Sequence, residues 1–126
     1  HNALTLAKAL EELAGITVNY PGLESSPYKP LVDEQFGGLG GAILTIRAGS
    51  REKAFKLINS LKYAHIATNI GDLRTLVIHP SSTIYLHSTK EEQEHAGVYE
   101  DTIRISVGIE DVEDLIADFT QAIENI

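Results

Sequence analysis

Apolar positions along the chain change their period several times, and each change marks an element. Between residues 3 and 14, Ala3, Leu4, Ala7, Leu10 and Ala14 recur at helical spacing with Lys8, Glu11 and Glu12 opposite, which predicts an amphipathic helix ended by Gly15. Ile16-Thr17-Val18-Asn19-Tyr20 reads as a short strand stopped by Pro21-Gly22. After a loop through Glu24-Ser25-Ser26-Pro27, Pro30 opens a short helix to Gln35. The β-rich run Gly41 to Arg47 precedes a helix capped by Ser50 and running to Leu61, with Ala54, Phe55, Ile58 and Leu61 inward. Two strands follow, His65 to Ala67 and Thr75 to Ile78, separated by a turn at Gly71-Asp72. Ser88-Thr89-Lys90-Glu91-Glu92 offers two overlapping capping boxes for a short helix that stops at Gly97. The stretch 102–107 alternates as a strand up to Gly108. A last helix, 111–124, turns Val112, Leu115, Ile116, Phe119 and Ile123 to one side and places Asp111, Glu113 and Asp114 at its positive end.

The order of elements is α-β-α-β-α-β-β-α-β-α, with some strands too close in sequence for parallel crossovers. The expected fold class is therefore α+β, a small, mostly antiparallel sheet covered by helices on one side. At 126 residues the chain is one domain, residues 1–126, without internal repeats.

Composition narrows the classes of function. With 43% hydrophobic and 22% charged residues the chain has the balance of a soluble globular domain, and no apolar run approaches the ~20 residues of a membrane span. The absence of cysteine excludes disulfides and thiolate metal sites. A formal charge of −8, with the ten Lys and Arg scattered, argues against nucleic acid as a partner. The chain starts at His1 and contains no Met, as expected of a segment of a longer reading frame.

Few constellations could carry chemistry. Phe36-Gly37-Gly38-Leu39-Gly40-Gly41 lacks the spacing of a phosphate loop and leads into a strand, so its glycines are expected to serve close backbone approach. Histidines 1, 65, 79, 87 and 95 show no metal-ligand spacing, and no metal is expected. Ser81 and Ser82 lie outside any nucleophile elbow and are expected to be turn residues. Arg104 stands among Ile103, Ile105 and Val107 on a strand expected to be central, where an unpaired guanidinium is costly. Two readings are open: a structural salt bridge with a local carboxylate, or bidentate capture of a substrate carboxylate.

Two long motifs then point to a family. Asn69-Ile70-Gly71-Asp72-Leu73-Arg74-Thr75-Leu76-Val77-Ile78-His79-Pro80-Ser81-Ser82 closely resembles the N-x-G-D-x-x-T/S-L-x-x-H-P-x-S run of the Cys/Met-metabolism enzymes that depend on pyridoxal phosphate (PLP). The segment from Asp101 to Ile116 resembles their L-I-R-L-S-V-G-I-E-D-x-x-D-L signature. Val18-Asn19-Tyr20-Pro21-Gly22-Leu23 is similar to their V-x-Y-P-G-L element. The resemblance covers nearly the whole chain but matches only the family's C-terminal lobe. It implies that the large PLP-binding domain is absent, and with it the cofactor-binding and catalytic residues; none of Lys8, Lys29, Lys53, Lys56, Lys62 or Lys90 stands in the family's S-x-T-K context.

By the resemblance, Arg104 matches the arginine that grips the substrate α-carboxylate, and Asn69 matches the Ser or Asn beside it. Asn69 with its neighbours is most similar to O-acetylhomoserine sulfhydrylases. This implies, for a full-length cytoplasmic homotetramer, synthesis of homocysteine or methionine from O-acetylhomoserine and sulfide or methanethiol. This chain alone would be inactive, without cofactor, and partnered by its own N-terminal PLP domain and a small amino-acid substrate. Cystathionine γ-synthase or lyase and methionine γ-lyase are alternatives within the family, and an independent ligand-binding or oligomerisation module is one outside it. Where many relatives place threonine then histidine after the H-P-x-S run, Ile84 and Tyr85 stand here.

Overall fold

Strand residues that alternate in and out of a core leave a sheet with two unlike faces, and that difference positions the site. The computed structural model describes residues 1–126. The elements are α1 (Asn2–Glu11), β1 (Thr17–Asn19), α2 (Lys29–Phe36), β2 (Ile43–Arg47), α3 (Arg51–Ser60), β3 (His65–Ile66), β4 (Leu76–Ile78), a 3-10 turn (Pro80–Ser82), α4 (Lys90–His95), β5 (Thr102–Ser106) and α5 (Val112–Glu124). The strands form one sheet in the order β1-β2-β5-β4-β3, with β5 at its centre. The class is α+β, as the pattern implies.

Side chains at every second strand position build the covered face. Leu44 and Ile46 of β2, Ile103 and Ile105 of β5 and Val77 of β4 join Leu6 and Leu10 of α1, Leu57 of α3, and Leu115 and Phe119 of α5 in a single buried cluster. Removing side chains of this size from water stabilises by roughly 1.5–3 kcal/mol each. The intervening positions face the other way: Thr45, Arg104 and Ile78 are register partners across β2, β5 and β4.

Local chemistry sets the helix boundaries. Ser50 Oγ accepts from the Lys53 N–H at 3.2 Å, and the Asp111 carboxylate accepts from Glu113 N–H at 2.9 Å. Of the two possible capping boxes the one on Thr89 forms, its hydroxyl accepting from Glu92 N–H at 3.2 Å while Glu92 accepts from Thr89 N–H at 2.7 Å. The first helix ends at Glu11 rather than Ala14, and its buried stripe is Ala3, Leu6, Ala7 and Leu10.

One pairing departs from the sequence expectation: β3 and β4 are parallel, His65 opposite Leu76 and Ile66 opposite Val77. The segment between them is not a turn but the loop 67–75, which travels back along the sheet. With strands this short, a loop that spans up to about 3.3 Å per residue reaches the start of β4 without a crossover helix. The other ladders are antiparallel.

Two buried carboxylates fasten chain segments that periodicity did not connect. Asp118, on the inner side of α5, accepts from the N–H groups of Lys62 (2.8 Å) and Tyr63 (2.8 Å), fixing the chain as it leaves α3. Asp101 accepts from Arg47 Nε at 2.8 Å and from Gly49 N–H at 3.0 Å, tying the start of β5 to the end of β2.

Candidate functional site

On the open face of the sheet the half-buried Arg104 projects from the central strand. Its Nη2 donates to the backbone carbonyls of Thr68 (2.7 Å) and Asn69 (3.3 Å). Its Nε is buried without a partner, the only such side-chain atom in the molecule. None of the ion pairs involves Arg104, so the local salt bridge, one of the two sequence readings, does not form. The guanidinium is thus held by two carbonyls and retains one unused, desolvated donor.

Asn69 lies beside it through its main chain, its carbonyl accepting from the guanidinium while its side chain is exposed. The sequence motifs thus bring the two predicted residues together.

The loop 67–75 that presents those carbonyls is pinned repeatedly to the end of β5. Gly71 N–H donates to Ser106 Oγ at 3.3 Å, and Ile109 N–H to the Leu73 carbonyl at 2.9 Å. Arg74 N–H donates to Asp72 Oδ1 at 2.9 Å, which holds the Asp72 carboxyl below its ordinary range. At the loop's end, Glu110 accepts from both the N–H and the hydroxyl of the fully buried Thr75, and Thr75 Oγ1 accepts from Gly108 N–H at 3.0 Å. A Cβ on Gly108 would collide with the Leu73 carbonyl, so glycine is needed for this close approach. Thr75, Gly108 and Glu110 were not singled out from sequence as site residues, although they lie within the two motifs.

The remaining sequence candidates are structural. His79 is buried, with Nε2 2.7 Å from the Glu100 carbonyl, so that nitrogen carries the proton, and Nδ1 accepts from the N–H and hydroxyl of Ser82 as the cap of the 3-10 turn. Ser81 Oγ donates to Gln93 Oε1 at 2.7 Å. Ile84 is half exposed, and the Tyr85 carbonyl accepts from Gln93 Nε2 at 2.9 Å. The glycine run 37–41 packs on Tyr20, whose hydroxyl donates to the Gly41 carbonyl at 2.8 Å. Burial pushes the Tyr20 phenol up. No three His, Asp or Glu side chains are grouped to hold a metal ion, and no helix is long and apolar enough to cross a membrane.

Two of the lysines are committed to nearby carboxylates. Lys29 is held by Asp33 and Glu24, and Lys90 lies 3.8 Å from Glu94. The glycine run enters a strand, where no helix N-terminus faces a phosphate.

Residues 1–124 match the model of the Cys/Met metabolism PLP-dependent enzyme family. A homocysteine synthase from Schizosaccharomyces pombe is 46% identical over 98% of this chain and 29% of its own length. O-acetyl-L-homoserine sulfhydrylase 1 from Thermus thermophilus is 43% identical over 97% of this chain and 30% of its own length. An L-methionine gamma-lyase from Fusobacterium nucleatum subsp. polymorphum is 41% identical over 86% of this chain and 28% of its own. Among solved structures, a Campylobacter jejuni chain assigned as an O-acetylhomoserine (thiol)-lyase and carrying a pyridoxyl-lysine phosphate superposes with a TM-score of 0.90 at 37% identity, over 98% of this chain and 30% of that one. This chain therefore spans about 30% of the length of the relatives it matches. With its two motifs joined on one sheet around Arg104 and residues 1–124 matched by the family model, the chain belongs to the Cys/Met-metabolism PLP-dependent enzyme family.

Proposed function

We propose that this chain is the C-terminal domain of a PLP-dependent O-acetylhomoserine sulfhydrylase and that Arg104 binds the substrate α-carboxylate. The observation that carries the reading is the guanidinium fixed on the open face by the Thr68 and Asn69 carbonyls with its buried Nε unpaired. A carboxylate meeting the guanidinium gains a charge-assisted bond. The exposed Asn69 amide is free to donate to the same carboxylate.

The cofactor, bound by the part of the protein outside this chain, supplies the electron sink. This chain's residues supply orientation: a guanidinium fixed on the loop carbonyls holds the carboxylate, restricts rotation of the substrate and so decides which of its bonds faces the cofactor. Exposed apolar side chains at Ile66, Ile70 and Leu73, on the loop that holds Arg104 and the strand before it, are consistent with a larger domain closing over this face.

In the full-length protein, Arg104→Ala is expected to lower kcat/KM for O-acetyl-L-homoserine by about 10–100-fold, the worth of a hydrogen bond to a charged group, chiefly through KM. An unchanged KM would refute the assignment. Methionine gamma-lyases among the relatives favour a second reading, in which the full protein eliminates a thiol from methionine. Incubating the full-length protein with O-acetylhomoserine and sulfide separates the two: homocysteine supports the synthase, whereas turnover of methionine alone supports the lyase.

A further inference from the structure

We infer that Thr75 and Glu110 are positioning residues for Arg104, a role that rests on reading Arg104 as the carboxylate anchor and deepens it. Arg104 has no side-chain partner; its only holds are two carbonyls, and both belong to the loop 67–75. The orientation of the guanidinium is therefore set by where that loop sits.

Ala67 N–H on the Val77 carbonyl and Gly71 N–H on Ser106 Oγ hold the start and middle of the loop, and a junction at Thr75 holds its end. Glu110 spans Thr75 with both carboxylate oxygens, accepting from its N–H and its hydroxyl, and Thr75 Oγ1 receives Gly108 N–H at 3.0 Å. Gly108 allows the Leu73 carbonyl to approach, and Leu73 is held at 2.9 Å by Ile109 N–H. Asn2 Nδ2 then donates to the Gly108 and Glu110 carbonyls at 3.2 and 2.8 Å, fixing the far side of the turn to α1. Both oxygens of Glu110 and both polar groups of Thr75 are committed to this junction, which leaves neither residue free to touch a substrate. Their influence runs through the loop carbonyls to the guanidinium.

A double-mutant cycle in the full-length protein tests this, with Thr75→Val removing the hydroxyl at nearly constant shape. Thr75→Val is expected to raise the KM for O-acetyl-L-homoserine about tenfold with kcat changed less, and to weaken calorimetric binding of L-norvaline, which has no leaving group, to a similar extent. Thr75→Ser, which restores the hydroxyl, returns both values to within about twofold of the parent. On an Arg104→Ala background Thr75→Val adds less than about twofold, because the group it positions is gone. The positioning role is overturned if Thr75→Val multiplies KM equally on both backgrounds, the mark of a general structural defect. It is equally overturned if Thr75→Val leaves KM unchanged while Arg104→Ala raises it. An Arg104→Ala variant with normal KM and normal L-norvaline binding would instead remove the carboxylate reading on which the inference rests.

Discussion

Asp118 is a carboxylate in an otherwise apolar helix face, only 3% exposed, and it persists there because two backbone N–H groups from Lys62 and Tyr63 meet it. Asp118→Ala leaves those donors without their carboxylate, a loss of about 1–2 kcal/mol in chemical denaturation of this chain. Hydrogen exchange gives the local check: the Lys62 and Tyr63 amides should lose protection while those of β5 keep it, and unchanged protection at both would contradict the assignment. Arg104 obeys the same rule from the other side. Its Nη2 is satisfied by carbonyls and its Nε is not, so the residue keeps one buried donor unused.

Among the elements, α4 depends most on its cap, since none of its residues is buried. The Thr89 N–H donating to Glu92, followed by the bond from the Thr89 hydroxyl, holds the Glu92 carboxyl below its ordinary value of 4.5. A carboxyl depressed in the folded state contributes stability above its unfolded value and loses it as the pH falls through the folded one. Hydrogen exchange at α4 should therefore accelerate below about pH 4.5 relative to the other helices, and Glu92→Gln, which can still accept from the Thr89 N–H but cannot titrate, should abolish that pH dependence. Equal acid sensitivity in the parent and the variant would rule out the capping box as its source.

This helix was legible in the sequence because a capping box is a local signal, as were Ser50 and the amphipathic faces of α1, α3 and α5. The parallel β3–β4 pair was not, because the direction of a two-residue strand is decided by where the following loop is tied. Those ties, to Ser106, Gly108, Ile109 and Glu110, lie more than thirty residues away in sequence. Arg104 was visible as a cation in an apolar strand; its carbonyl partners and the buried junction behind them were not, since nothing in periodicity pairs Thr75 with Glu110.

For the whole molecule, one face of the sheet is sealed by α1, α3 and α5 and the other presents Arg104 beneath a loop with exposed Ile70 and Leu73. Under the proposed division of labour this domain supplies the carboxylate anchor and the electron sink lies outside it, so the isolated chain supplied with pyridoxal phosphate should give no turnover of O-acetylhomoserine; measurable homocysteine formation would contradict that division. The central claim, that Arg104 recognises a carboxylate, is tested most directly by comparing L-norvaline with n-butylamine, the same molecule without its carboxylate, as inhibitors of the full-length protein and of its Arg104→Ala variant. The parent should prefer L-norvaline by about 10–100-fold and the variant should lose that preference. A variant that still prefers L-norvaline by the same factor would contradict the account.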